Sequence, residues 1–494
     1  MQYLLAHDLG TSGDKATLFT TEGQLVCSVV EAYPCDYRSG NRVEQNPDDW
    51  YAAVCRATKA LTAQVDPKEI LGVSFSGHMM GSVLLDSHGQ LLRPAIIWAD
   101  QRATEETALL TRRLGDDRFY QITGNRNNPT NSIVKIMWAQ THDGLEGRID
   151  KSLNCKDYLI WRLTGSLGTD YSDASGTGAF DLNTFLWSEE ILAAAGVAPS
   201  VMPELHPSTD RAGVITAEAA ADTGLLTGTP VFCGCGDGTA ASVGTGISQV
   251  GQGYISMGSS AWIACLEDKP LLDPLQRTFN LAGIEKHRVY PLGSMQAAGL
   301  SYNWMKDELC KAEQLSGENI YTAINSQIAR VPAGANGVMF LPYLIGERSP
   351  WWDAAAKGAF LGLSKDSTHA DMLRAVMEGV TFHLTLILNV LRQNRDFDSL
   401  RIIGGGAKEP IWRQMMADVM GLKIRKLNLL EEGCSLGAAV VAGIGAGVFA
   451  DASAIEKFIR EDGEAVPDPA MTALYAPMVE RFAEAYTRLQ GFFG

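Results

Sequence analysis

An α/β protein of two similar halves, with a ligand cleft between them, is the fold that the residues predict. The chain has 494 residues, too many for one hydrophobic core, so two or more domains are expected, and a crevice between domains is a frequent ligand site. A strand meander gives way to an amphipathic helix and a further strand. A strand, glycine turn and strand near the N-terminus is matched by a second such unit past the midpoint.

The first strand is Tyr3–Leu9, followed by the tight turn Gly10-Thr11-Ser12-Gly13, a strand over 15–19, a turn over 20–23 and a strand over 24–30. Helical periodicity runs over 47–63, with Asn46 as cap, Pro47 in the first turn, and Asp48 and Asp49 where the helix dipole favours acids. A strand over 70–75 comes next. In the second half, a strand over 254–257 leads into Gly258-Ser259-Ser260 and then a strand over 261–265. We read this as duplication of one domain rather than a solenoid, whose repeats are roughly 20 to 50 residues. The copies differ in one respect: Asp8 precedes the first turn, whereas Ser256 stands at the corresponding place in the second. Only one half brings a carboxylate to its turn. The expected domains are 1–247 and 248–494.

Bulk chemistry narrows the function. Hydrophobic residues make up 46% and charged residues 20%, as in ordinary globular proteins, and no apolar run is expected to cross a bilayer. The first residues read as a strand rather than a signal peptide, which points to the cytoplasm. The nine cysteines are scattered, apart from Cys233-Gly234-Cys235, and form neither a disulfide framework nor a four-ligand zinc pattern; most read as small buried thiols. A net charge of −16 opposes attraction to nucleic acid or anionic lipid. A phosphorylated ligand would have to be held locally, by backbone amides and metal.

Four constellations could carry chemistry. Asp8 at a strand end presents a metal-directed charge beside the free amides of its glycine turn, with Lys15 just beyond; the same residues also read as a polar hairpin turn. No Walker lysine pattern is present. The apolar segment from Pro230 ends at Asp237, ahead of a small-residue helix; that acid could take a proton from a hydroxyl, or simply cap the helix. A strand over 400–403, the turn Gly404-Gly405-Gly406-Ala407 and a helix over 411–420 make a shelf for a base or phosphate, or merely a sharp connection. Gly77-His78-Met79-Met80-Gly81, together with Trp98-Ala99-Asp100-Gln101-Arg102 after a short strand over 95–98, would suit a polyhydroxylated ligand. Read structurally, these are a core tryptophan, an Asp-to-Arg pair and gap-filling methionines.

Assembled, these residues resemble the FGGY carbohydrate kinases over essentially the whole chain, most closely the xylulokinase branch. Asp8-Leu9-Gly10-Thr11-Ser12 looks like the family's first phosphate loop, Gly258-Ser259-Ser260 like its second, and Gly404-Gly405-Gly406-Ala407 like its adenosine loop. Gly358-Ala359-Phe360-Leu361-Gly362-Leu363, continued to Asp371-Met372-Leu373-Arg374-Ala375-Val376-Met377-Glu378, fits the C-terminal signature, and the N-terminal signature around Lys135-Ile136-Met137-Trp138 fits in part. Leu341-Pro342-Tyr343-Leu344 and Gly346-Glu347-Arg348-Ser349-Pro350 also resemble xylulokinase text.

The resemblance implies two ribonuclease-H-like (actin-like ATPase) domains closing over ATP, Mg²⁺ and a sugar. It makes Asp237 the proton acceptor and sets Asp8 at the metal, through water. Thr11, Ser12, Lys15, Gly258, Ser259, Ser260, Gly405, Gly406 and Ala407 would bind ATP; Met79, Met80, Trp98, Asp100, Asp237 and Gly238 would bind the sugar. Three positions depart from the xylulokinase pattern: His78 precedes the methionines where Gln is usual and Met80 stands in place of His, while Gly238 stands where Asn is common. The implied reaction is ATP-dependent phosphorylation, with D-xylulose to D-xylulose 5-phosphate the first reading and ribulose, gluconate or a tetritol the alternatives. A noncatalytic sugar or nucleotide sensor is the reading from another class, and the presence of both Asp8 and Asp237 argues against it. The expected partners are a small sugar or polyol and a homodimer copy, with neither nucleic acid nor membrane.

Overall fold

The computed structural model describes residues 1–314, 319–428 and 432–493. In the first half, β1 (Tyr3–Leu9), β2 (Gly13–Thr20) and β3 (Leu25–Ala32) form an antiparallel meander. Helix α1 (Pro47–Thr62) starts with Asn46 accepting the Asp48 N–H, buries Trp50, Val54 and Leu61, and returns the chain to β4 (Ile70–Gly77), parallel to β1. Helices α2 (Cys155–Thr164) and α3 (Tyr171–Gly176) precede β5 (Arg211–Val214), β6 (Pro230–Phe232) and the short β7 (Cys235–Gly236). The sheet order is β5-β6-β4-β1-β2-β3, with β7 also paired to β4, and α4 (Asp237–Gly244) leaves β7 directly.

The second half repeats this plan. β8 (Gly253–Met257), β9 (Ala261–Cys265), β10 (Phe279–Ala282) and β11 (Val289–Met295) are followed by the long helix α5 (His369–Leu391). Then come β12 (Ser399–Ile403), α6 (Pro410–Met420), β13 (Lys423–Leu427), α7 (Gly433–Gly445) and β14 (Glu461–Ala465). The sheet order is β10-β11-β9-β8-β12-β13-β14. β8 corresponds to β1, its parallel neighbour β12 to β4, β13 to β6, and the antiparallel edge β14 to β5. Parallel strands flanked by crossover helices bring their C-terminal ends to one edge, which is where open α/β sheets bind ligands.

The helix α5 is long and apolar enough by composition to cross a bilayer, contrary to the expectation that no such run exists, but 83% of its apolar window is buried inside the protein. It is a core helix, and its Thr368 capping box and buried Glu378, paired to Arg374 at 2.7 Å, fit that role. Six cysteines are buried, as expected; Cys27, Cys35 and Cys434 are partly exposed.

Two features join the halves. Helix α7, built by the second half, packs on α4 and on strands β1 and β4 of the first, so that Val440 and Val441 share a cluster with Leu4, Ala6 and Phe19. The helices touch backbone to backbone: a Cβ on Gly244 would lie 1.8 Å from the Gly433 carbonyl oxygen, and one on Gly437 2.1 Å from that of Ala240. The second joint is a polar seam along the edge strand β10. The Asn280 N–H donates to the Asn125 side-chain oxygen (2.9 Å), the Asn125 amide donates to the Asn280 carbonyl (3.0 Å), and the Asn280 side chain donates to Gly124 (2.8 Å).

Candidate active site

Asp8, Ser76 and the segment Cys235–Gly236 lie on three neighbouring strand ends, because β1 pairs with β4 through Asp8 and Ser76, and β7 pairs with β4 through Cys235 and Ser76. Asp237 is the next residue and opens α4. It is not the N-cap: Gly236 is, and the Asp237 carboxylate accepts the Gly238 N–H at 2.7 Å. Burial, with Asp8 adding repulsion, pushes the Asp237 carboxyl up to about 7, while the Gly238 amide works against the rise. Asp8 is pushed up to about 6, chiefly by burial, with Ser76 and Lys15 pulling the other way. Two carboxylates thus share one crevice, and neither has an ion-pair partner among the described residues. An uncompensated, oxygen-only pair is a donor set that fits a hard divalent cation such as Mg²⁺.

The turn after Asp8 is open, with Gly10 and Ser12 exposed and Thr11 half-buried. Thr11 is tied to the loop at Trp98, because the Trp98 indole donates to its hydroxyl at 2.9 Å. Trp98 remains 40% exposed, leaving a ring face free for the apolar side of a sugar. It lies just past the strand Ala95–Ile96, which is shorter than the expected 95–98. Met79 is buried against Gly236 and Gly176, where added Cβ atoms would come within 2.5 and 3.2 Å of its side chain. The gap-filling reading therefore holds for Met79, whereas Met80 is half-exposed at a left-handed φ of 60°. Gly238 meets one neighbour only: its Cβ would sit 2.7 Å from a Leu281 methyl of β10.

In the second half, Gly258 and Ser259 are exposed and Ser260 half-buried in the turn between β8 and β9. The triple-glycine turn abuts it. A Cβ on Gly404, where φ is 89°, would come 2.5 Å from the Met257 carbonyl, and one on Gly406 would reach 2.6 Å from the Met257 side chain, while Gly405 faces open space. Bare backbone is what brings the two turns together.

Three of the expected ligand residues are engaged by the protein itself. Asp100 is fully buried and forked onto Arg102 (2.6 and 3.0 Å), and it also accepts the Val43 N–H at 2.6 Å, so its carboxylate braces the loop. Lys15 reaches across to the other half and pairs with Glu432 at 2.9 Å rather than pointing at the first turn. Ala407 is buried, its N–H donates to the Gly404 carbonyl and its own carbonyl accepts from Arg413.

Residue-by-residue reading missed several participants. Leu281 comes from the other half, so no local pattern links it to Gly238. Cys434 opens α7 and sends its thiol to the Asp237 carbonyl (3.6 Å); burial, then Asp8 and Asp237, hold that thiol well above its ordinary range. Lys135 had a visible signal, a lone charge on an apolar helical stretch. It is fully buried and donates to the Met80 carbonyl (2.7 Å) and the Ile97 carbonyl (2.8 Å), joining the loop at Met79-Met80 to the one before Trp98.

Two family profiles match: the N-terminal domain of the FGGY family of carbohydrate kinases over residues 3–244 and its C-terminal domain over 253–446. Xylulose kinase of Bacillus subtilis is 33% identical over 492 residues, 99% of this chain and 97% of that protein. Gluconokinase of the same species is 31% identical over 446 residues, 89% of this chain and 86% of that one. The crystal structure of ligand-bound xylulose kinase from Lactobacillus acidophilus superposes with a TM-score of 0.93 at 28% identity, covering 100% of this chain and 99% of the other.

Proposed function

Because the chain belongs to the FGGY family of carbohydrate kinases, with both domains matched in order, we propose that it transfers the γ-phosphoryl group of ATP to D-xylulose, with Asp237 as general base. The observation that carries this reading is the Asp8–Asp237 pair at the strand ends. Burial and mutual repulsion hold Asp237 near neutrality, where a base is both ionised and strong enough to take an alcohol proton. The sugar would lie on Trp98 and Met80, with its hydroxyl at the Asp237 carboxylate, and the exposed turns at Thr11-Ser12 and Gly258-Ser259-Ser260 would hold phosphates by amides and hydroxyls. Gly405 and Gly406 would face the adenosine. Asp8 would hold Mg²⁺ through water, since magnesium sheds its shell reluctantly. When bound, that ion would neutralise charge on the phosphoryl oxygens.

Phosphoryl transfer asks mainly for alignment and charge stabilisation. Asp237 would accept the hydroxyl proton as the oxygen attacks, and closure of the halves over the site would exclude competing water. A neutral sugar suits the wall better than an aldonate, since Met79, Met80, Trp98, Gly238 and Leu281 offer a carboxylate no positive charge. As a kinase fed by ATP, the protein is proposed to work in the cytoplasm.

A coupled ADP-release assay over D-xylulose, ribulose, gluconate and tetritols tests the substrate. The highest kcat/KM is expected for D-xylulose, and a preference for gluconate would replace that reading. Asp237→Asn is expected to lower turnover about 10²- to 10⁴-fold with ATP affinity kept; undiminished turnover would remove Asp237 from the role of base.

A further inference from the structure

Linked through Ser172 to the peptide just ahead of the base lies an ionic cluster of four fully buried side chains. The Lys156 ammonium contacts Asp157 at 2.6 Å, Asp170 at 2.9 Å and Asp173 at 3.2 Å, and all four are at most 1% exposed. Burial alone would lower the lysine's pKa, but the three carboxylates hold it well above its ordinary value. One ammonium cannot balance three carboxylates. Burial and the neighbouring acids therefore drive Asp173 well up, towards its neutral form.

Such a cluster costs desolvation energy and contributes little net stability, so what it holds in place is the more informative question. Asp170 caps the short helix α3, accepting the N–H groups of Ser172 and Asp173 and the hydroxyls of Ser172 (2.5 Å) and Ser208 (2.7 Å). With its only proton given to Asp170, the Ser172 oxygen is left to accept, and it takes the N–H of Gly236 at 2.8 Å. Gly236 immediately precedes Asp237 and caps its helix. A continuous path thus runs from Lys156 through Asp170 and Ser172 to the peptide that carries the base. The same helix also packs Gly176 against Met79 and Met80, and its Ser175 hydroxyl accepts the Ala282 N–H of β10 at 3.0 Å.

We propose that Ser172 is a positioning residue for phosphoryl transfer: oriented by the Lys156–Asp170 pair, its hydroxyl fixes the Gly236 amide and through it the direction of the Asp237 carboxylate. The proposal rests on the reading of Asp237 as base. Ser172 itself touches neither sugar nor nucleotide. Its effect is expected in the chemical step, because the bond its hydroxyl accepts comes from the Gly236 amide beside the base and not from Met80, Trp98 or the phosphate turns.

The test is steady-state kinetics on the full chain with D-xylulose and ATP, alongside thermal melting and nucleotide affinity. Ser172→Ala removes the acceptor and leaves the Gly236 N–H buried without a partner. It is expected to lower kcat about 10- to 100-fold, the scale of a displaced reacting group, with both KM values unchanged. Ser172→Thr keeps the oxygen and is expected to recover most of the loss. If Ser172→Ala melts below the assay temperature, Ser172→Cys keeps the shape with a weaker acceptor and is expected to show the same selective fall in kcat. Full kcat in a folded Ser172→Ala or Ser172→Cys variant overturns the proposal, as does a fall in kcat matched by weakened ATP affinity. Asp237→Asn run in parallel separates the two readings: if it is inactive while Ser172→Ala is normal, only the positioning role fails, whereas an active Asp237→Asn removes the base itself.

Discussion

At the scale of single residues, the proposed chemistry turns on Asp8 and Asp237, two acids that burial makes weaker. The folded-state pKa of Asp237, about 7, lies above the ordinary carboxylate value of 3.8. Between those values the native state binds more protons than the unfolded chain, so this group's contribution to stability declines as pH rises from about 4 to 7. Two consequences follow for Asp237→Asn: the melting temperature should rise at pH 8 and change little at pH 4, and scanning calorimetry would show the same change at both pH values if the carboxyl were not raised. In the unmodified enzyme, kcat should fall as pH drops through about 7, since the base must be ionised to accept a proton. A flat profile between pH 5 and 8 would contradict the assignment. Residue types also limited what could be read directly. Asp8, Asp237 and Trp98 stand out as acids and an aromatic at strand ends, whereas Asp100 has the same local signature and is consumed by Arg102. Nothing in its neighbours along the chain distinguishes a carboxylate that meets a ligand from one that meets a guanidinium.

At the scale of elements, propensity and capping marked most boundaries well. The helix expected over 47–63 is Pro47–Thr62, and the one expected over 411–420 is Pro410–Met420; a proline at the first helical position fixed both starts. The helix α7 shows where local pattern stops. Its composition is apolar all round, the sign of a helix buried on more than one side, but not of which surfaces bury it. The structure wedges it between α4 and the first half's sheet. Glycine is required where the helix backbones meet, so Gly437→Ala is expected to destabilise the protein by about 1–3 kcal/mol or more through overpacking. A denaturant melt followed by both fluorescence and circular dichroism would read this; an unchanged midpoint would mean that the crossing tolerates a methyl group.

At the scale of the whole molecule, a helix crossing and an asparagine seam are among the contacts that join the two repeated sheets, while the turns at Thr11-Ser12 and Gly258-Ser259 stay open. Closure of the halves about the crossing would exclude water from the crevice and limit wasteful ATP hydrolysis. Small-angle scattering should show a smaller radius of gyration with sugar and a nonhydrolysable ATP analogue together than with neither, and identical profiles would count against closure. The pair Lys15–Glu432 spans the two halves near the turn after Asp8, so such a closure would act on it.

What the chain of residues determined alone is the set of repeated strand–turn–strand units, the helix starts, and the acids at strand ends, because alternation, caps and glycine turns are interactions between near neighbours in sequence. What only the tertiary structure decided is which groups meet: α7 on the opposite sheet, Leu281 over Gly238, and the Lys156 cluster linked through Ser172 to Gly236. Those contacts join residues tens to hundreds of positions apart, and burial, which sets both their packing and their proton affinity, does not exist until the two halves have come together.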